Sequence, residues 1–173
     1  MTDEIKKLLN SQFNKELYSA YLYMDIAAYY EAQNLKGIAH WYFVQTQEER
    51  DHALLFFRFM LDNGVELESM AIDKPTYSTA SLREPLVAAL KHEEFVTKSI
   101  YEIYDAAMKE KNYLVMQFLD WFVKEQGEEE KNANDNVKNY DLYGGDPKSL
   151  FLLDAEMLKR VYAAPSIMPP QIM

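Results

Sequence analysis

Residues 48–52 read Glu-Glu-Arg-Asp-His (EERDH), and the interpretation of this stretch decides the fold. Glu49 and His52 stand three apart, so on a helix they lie on one face, one above the other. Stepping outward from Glu49 by alternating threes and fours collects Ile38, Tyr42, Gln45, His52, Phe56 and Phe59. This is an apolar seam interrupted by a carboxylate and an imidazole, both aimed into a core. A buried carboxylate without a partner is costly, so Glu49 must meet a cation, a hydrogen-bond donor or a metal. A single Glu-x-x-His arises often by chance, and a structural pair explains it as well as a metal half-site does. The rest of the chain has to supply the other half.

Three more seams of the same kind flank it. Residues 3–33 predict one long helix with the line Leu9, Phe13, Glu16, Ala20, Tyr23, Ala27 and Tyr30, again broken by one carboxylate. Tyr23 lies two turns beyond Glu16. It is either a core aromatic or a residue whose hydroxyl bonds Glu16 or a neighbouring ligand. Asn34–Gly37 reads as a short link, so the second helix, about 38 to the Asn63-Gly64 stop, runs antiparallel to the first. Residues 65–80 carry no helical seam and predict a long crossover. The capping-box pattern Ser81–Glu84, with Pro85 in the first turn, predicts the start of a third helix.

The third seam is Leu86, Leu90, Glu93, Thr97, Ile100, Tyr104 and Ala107, which puts Glu93 inside and its neighbour Glu94 outside with Lys91 and Lys98. After a polar break at 109–112, a fourth helix to about 142 carries Val115, Leu119, Phe122, Gln126, Glu129, Ala133 and Asn136. Beside that line run Phe118, Trp121, Glu125 and Glu128. Of the run Glu128–Glu130, the seam turns Glu129 inward, together with Glu128 on its flank. Asp146-Pro147, an N-cap followed by proline at the first helical position, opens a short fifth helix expected over 147–162. The expected organisation is one all-α domain, residues 1–163. It is a four-helix bundle with a long crossover between the second and third helices and a short fifth helix. An irregular C-terminal tail follows at 164–173.

The polar seam residues repeat. Glu49 and His52 follow Glu16 by 33 and 36 positions, and Gln126 and Glu129 follow Glu93 by the same 33 and 36. If the two hairpins pack about a local two-fold axis, all six groups meet at one level of the core. One Glu from each of two helices plus an i, i+3 pair from each of the others is the di-iron carboxylate arrangement. The donor set is mostly oxygen with one nitrogen and no sulfur, which suits iron or manganese better than copper(I). Carboxylates bind iron(III) more strongly than iron(II) by charge alone, so such a site eases oxidation of iron(II).

Composition excludes several other classes. A net charge of -10 with no basic cluster argues against nucleic acid as a partner. The absence of cysteine excludes disulfides, thiolate nucleophiles and thiolate metal sites. No run approaches the roughly 20 apolar residues of a membrane span, and MTDEIKKLLN lacks the apolar core of a signal peptide. No membrane partner and a cytoplasmic location are therefore expected.

On ELYSAYLY (16–23), GIAHWY (37–42), EERDH (48–52), KHEEF (91–95) and FLDWFVKEQGEEEK (118–131), the chain resembles the non-haem ferritins of bacteria and archaea over about residues 3–162. The resemblance implies a ferroxidase that oxidises iron(II) with dioxygen or hydrogen peroxide. It also implies storage of the ferric mineral inside a homo-oligomeric shell of twenty-four subunits. Carried over residue by residue, one iron takes Glu16, Glu49 and His52. The second takes Glu49, Glu93 and Glu129, so Glu49 bridges. Gln126 sits beside the site near the oxidant, Tyr23 matches a tyrosine adjoining it, and Trp121 matches an aromatic residue proposed as an electron donor. Glu48, Glu125 and Glu128, with Glu129, resemble a third iron site. Arg50 stands where bacterioferritins carry a haem-ligating methionine, so no haem is expected. Met116 and Leu119 are apolar where animal ferritins place acidic channel residues, which leaves the iron entry route open.

Overall fold

The computed structural model describes residues 1–168; the last part of the expected tail, 169–173, lies outside the described residues. Five helices follow in order: α1 Asp3–Ala32, α2 Lys36–Asp62, α3 Glu84–Lys109, α4 Tyr113–Tyr143 and α5 Pro147–Met157. α1 pairs with α2 and α3 with α4, α1 also packs on α3, and α5 lies across α2 and α4. The expected all-α bundle with its crossover and short last helix is the observed one.

Each long helix is apolar at both ends of its inward stripe and polar in the middle. One apolar cluster gathers Ile5, Leu9, Phe56, Met60, Ile100 and Leu119. The other gathers Tyr23, Ile26, Tyr30, Ile38, Tyr42 and Leu86. Between them Glu16, Glu49, His52, Glu93, Gln126 and Glu129 form a buried polar layer. The two greasy ends exclude water from the layer and hold its backbone in register.

The crossover runs beside α1 in the same direction, tied by side chains rather than by a strand. Asn10 donates to Glu66 O and accepts from Glu68 N, at 3.0 and 2.6 Å. Asn14 donates to Glu68 O and accepts from Met70 N, at 2.9 and 2.8 Å. Two asparagine amides thus satisfy backbone groups that would otherwise be stranded. Further along, Tyr77 donates to Asp25 at 2.8 Å and Tyr30 to Leu82 O at 2.6 Å.

Three helix ends differ from the expectation. α3 begins at Glu84 with Arg83 at its N-cap in helical geometry and no side-chain cap. The Ser81 carbonyl, not its hydroxyl, accepts from Glu84 N at 3.2 Å, so the capping box does not form. Arg83 is instead paired with Asp141 on α4. α2 begins at Lys36, earlier than expected, because its free N–H groups find a distant cap. Asp154 of α5 accepts from Gly37 N and Ile38 N at 2.8 and 2.9 Å. The approach is so close that a Cβ on Gly37 would stand 1.6 Å from the Asp154 carbonyl oxygen. α5 ends at Met157 rather than 162. Residues 158–159 make a turn, and from Arg160 the chain is non-helical and lies against α2.

Candidate metal centre

Four helices deliver the polar layer to one point. Glu16, Glu49 and His52 each bring a donor atom within 4.8 Å of the others, all three buried. Helical spacing explains the convergence: Glu49 and His52 share a face of α2, and α1 packs directly against it. His52 belongs to a second cluster with Glu125 and Glu129 of α4, under the same distance limit. These are two donor sets suited to iron, joined through one imidazole.

Glutamines brace the carboxylates from one turn back along the same helix. Gln12 donates to Glu16 Oε1 at 2.8 Å, and Gln45 donates to Glu49 Oε1 at 2.9 Å. On the opposite side, Tyr23 donates its hydroxyl to Glu93 Oε1, and Gln126 donates to Glu93 Oε2 at 3.1 Å. Tyr23 therefore bonds a neighbouring acid and not Glu16, one of the two alternatives its position left open. Gln126 also reaches Thr97 Oγ1 at 3.4 Å. Glu93 is 2% exposed while Glu94 is exposed, so the seam distinguishes these neighbours correctly. The indole of Trp121 stands edge-on to the His52 ring, 5.5 Å between centroids.

The layer buries Glu16, Glu49, Glu93 and Glu129 against a single imidazole, so positive charge falls short of the carboxyls. Glu16 Oε2 and His52 Nδ1 are buried without a hydrogen-bond partner. His52 Nδ1 approaches Glu49 Oε2 at 3.4 Å but makes no hydrogen bond with it. Burial, and then the charge of Glu49, push the Glu16 carboxyl up to about 8. The same two causes raise Glu129 to about 7. Glu93 is raised as well, by burial first and by Glu49 and Glu129 next. Burial disfavours charge on His52, but the adjacent Glu49 carboxylate outweighs it and lifts the imidazole to about 10. Glu49 also resists its burial: the His52 charge and the Gln45 donor hold it below the usual carboxylate range. The layer thus retains protons where its donor chemistry asks for cations. Hard oxygen donors, one imidazole and two unpartnered buried atoms fit divalent iron.

Not every expected residue turns inward. Glu128 is exposed, 3.9 Å from Lys124 on its own helix. Glu48 forms an ion pair with Arg160, which reaches it from beyond α5. Gln12 and Arg160 had no place in the sequence reading, and Gln45 had only a seam position. For the glutamines a signal existed: each stands four residues before an inward glutamate. For Arg160 no local signal exists, because its partner is 112 residues away.

The comparisons agree with this geometry. The Ferritin-like domain family matches residues 6–142. A protein of Haemophilus influenzae described as a probable bacterial non-heme ferritin-like protein is 33% identical over 157 residues, covering 91% of this chain and 95% of its own. The bacterial non-heme ferritin of Staphylococcus aureus is 30% identical, covering 94% and 98%. The solved open-pore ferritin of Archaeoglobus fulgidus superposes with a TM-score of 0.90 at 38% identity, over 93% of this chain and 99% of that one. Among the described residues no helix is long and apolar enough to cross a membrane. The chain belongs to the ferritin-like family, and its buried carboxylate–imidazole triad, a candidate metal-binding cluster, supports ferroxidase-type activity.

Proposed function

We propose that this protein detoxifies and stores iron: it oxidises iron(II) within each bundle and keeps the ferric product as mineral inside a closed homo-oligomeric shell of twenty-four chains. Iron(II) is substrate and cargo. The first ion takes Glu16, Glu49 and His52; the second takes Glu49, Glu93 and Glu129, with Glu49 between them. The observation that carries this reading is the buried triad with its unpartnered Glu16 and His52 atoms.

The chemistry follows from charge and protons. Two iron(II) ions replace the protons held on the buried carboxyls, so binding releases protons. Each ion then gives up one electron. The pair reduces one dioxygen and two protons to hydrogen peroxide, or one hydrogen peroxide and two protons to two waters. Carboxylates favour the iron(III) product over the iron(II) substrate. Gln12 and Gln45 keep one oxygen of Glu16 and Glu49 occupied, which orients the other. Tyr23 and Gln126 hold Glu93 from both of its oxygens, and by the family resemblance Gln126 lies near the oxidant. A third ion position involves Glu48, Glu125, Glu128 and Glu129. The proposed domain is residues 1–163, followed by the tail 164–173, and the protein acts in the cytoplasm without haem, nucleic acid or membrane.

The test is addition of iron(II) to metal-free protein without air, followed by air, with ferric absorbance and particle size recorded together. Rapid oxidation in a large soluble particle that takes up iron far beyond its binding sites supports storage. Oxidation that stops at about two ions per chain, the capacity of a di-iron bundle, would replace storage with a di-iron oxidase acting on another substrate.

A further inference from the structure

Glu48 already has a cation. Its carboxylate is bound by Arg160 Nη2, and the two side chains are only 15% and 12% exposed. Arg160 is held on every side. Its Nη1 donates to Trp41 O at 3.2 Å, and its guanidinium lies 4.3 Å from the centre of the Trp41 ring. Its own carbonyl accepts from His40 Nε2 at 2.9 Å. Just beyond it, Tyr162 donates its hydroxyl to Asp51, and Met168 packs against the apolar cluster that includes Phe56. The segment after α5 is therefore strapped along α2, and Arg160 is its buried contact. The strap grips Glu48 and Asp51, which flank Glu49 and His52 in sequence, and His52, with its unpartnered Nδ1, also belongs to the cluster with Glu125 and Glu129.

We propose that Arg160 is a built-in counter-cation that competes with metal ions for Glu48, so that the segment after α5 acts as a latch on the third ion position. This rests on the iron reading of the site given above. A guanidinium stays charged at every working pH, so the competition does not depend on its protonation. Glu48 cannot serve Arg160 and a divalent ion with the same oxygen. Arg160 holds Oε2, so an ion at Oε1 meets the guanidinium charge across one carboxylate, and an ion taking both oxygens must displace Arg160; a closed strap and a bound ion therefore weaken each other, and the two effects are reciprocal. Arg160 acts through Glu48 and is a positioning residue.

Cobalt(II) binding to the full-length, metal-free protein tests this, read by calorimetry and by the visible absorbance of the bound ion. The unaltered protein is expected to take about two ions per chain tightly, as a di-metal bundle does, and a third weakly. Arg160→Gln should tighten the third ion on the order of tenfold or more, the effect of removing one like charge beside a partly buried site. Adding Glu48→Gln to Arg160→Gln should abolish the gain. Arg160→Lys, which keeps the charge, should bind as the unaltered protein does, whereas Tyr162→Phe, which loosens the strap but leaves Arg160, should gain only a small part of the Arg160→Gln effect. Amide exchange in residues 158–168 should quicken when cobalt(II) saturates the unaltered protein. An Arg160→Gln protein with unchanged third-ion affinity overturns the latch. So does an equal gain in Tyr162→Phe, which would mean that strap attachment alone controls access. If the unaltered protein binds no cobalt(II) at its two tight positions, the iron reading fails instead.

Discussion

Gln45 stands one helical turn before Glu49 and donates to its Oε1 at 2.9 Å, leaving Oε2 to face His52. The amide neutralises nothing; it fixes which oxygen is free for a metal. Gln45→Leu keeps the site apolar and buried but removes the donor. Metal affinity is expected to fall about 10- to 100-fold, the usual effect of losing such a supporting contact. Calorimetric titration with a divalent ion checks this, and an unchanged affinity would show that Glu49 needs no brace.

Glu49 has the most shared position in the layer, touching the triad and electrostatically every other acid in it. Glu49→Ala should slow the initial rate of iron(II) oxidation by about 100-fold or more, as loss of a central electrostatic group does. Glu94→Ala, on the exposed face, should leave the rate within roughly twofold. Stopped-flow absorbance compares them. Equal rates would mean that the inward choice between acids does not matter for chemistry.

The buried protons make the metal-free protein sensitive to base. Glu16 at about 8 and Glu129 at about 7 hold protons in the fold that they lose near 4.5 when unfolded. The stability this confers is fully present below about pH 4.5 and is lost as pH rises through the folded values. His52, at about 10 against 6.5 unfolded, adds a slope of the same sign above pH 6.5. Glu49, held low, contributes the opposite slope only in acid. The melting temperature of metal-free protein should therefore fall between about pH 5.5 and 8.5. Glu16→Gln should flatten the fall, and a divalent ion should stabilise more at the upper pH. Differential scanning calorimetry at constant salt decides, and a melting temperature that climbs across this range would refute the assignment.

Asp154 caps α2 from α5, so the two helices depend on one carboxylate. Asp154→Ala should cost about 1 kcal/mol, the ordinary value of a lost N-cap. Gly37→Ala should cost more, because its Cβ meets the Asp154 carbonyl at 1.6 Å and α5 has to move away. Urea denaturation measures both. A Gly37→Ala protein as stable as the parent would mean that α5 is free to shift.

The seams of α1 to α4, the antiparallel first pair, the crossover and the inward choice of Glu93 over Glu94 were all legible in the amino-acid order. They depend on periodicity, which is a local property: a helix that buries one stripe must write it every three or four residues. The matched spacing from Glu16 to His52 and from Glu93 to Glu129 was legible for the same reason. Helix ends and polar partners were not. Ser81 looks like a cap and is not one, because Arg83 is drawn to Asp141 and the turn closes through backbone. Asn10 and Asn14 read as ordinary helical positions, yet they hold the crossover. α5 stops short, and Arg160 and Asp154 reach α2 across 112 and 117 positions of chain. Which cation a buried carboxylate meets, and which residue caps a helix, depend on where distant segments dock. That docking is settled by the packing of the whole bundle, so the sequence alone determined that acids would be buried together, and only the tertiary structure decided that Glu48 would meet Arg160.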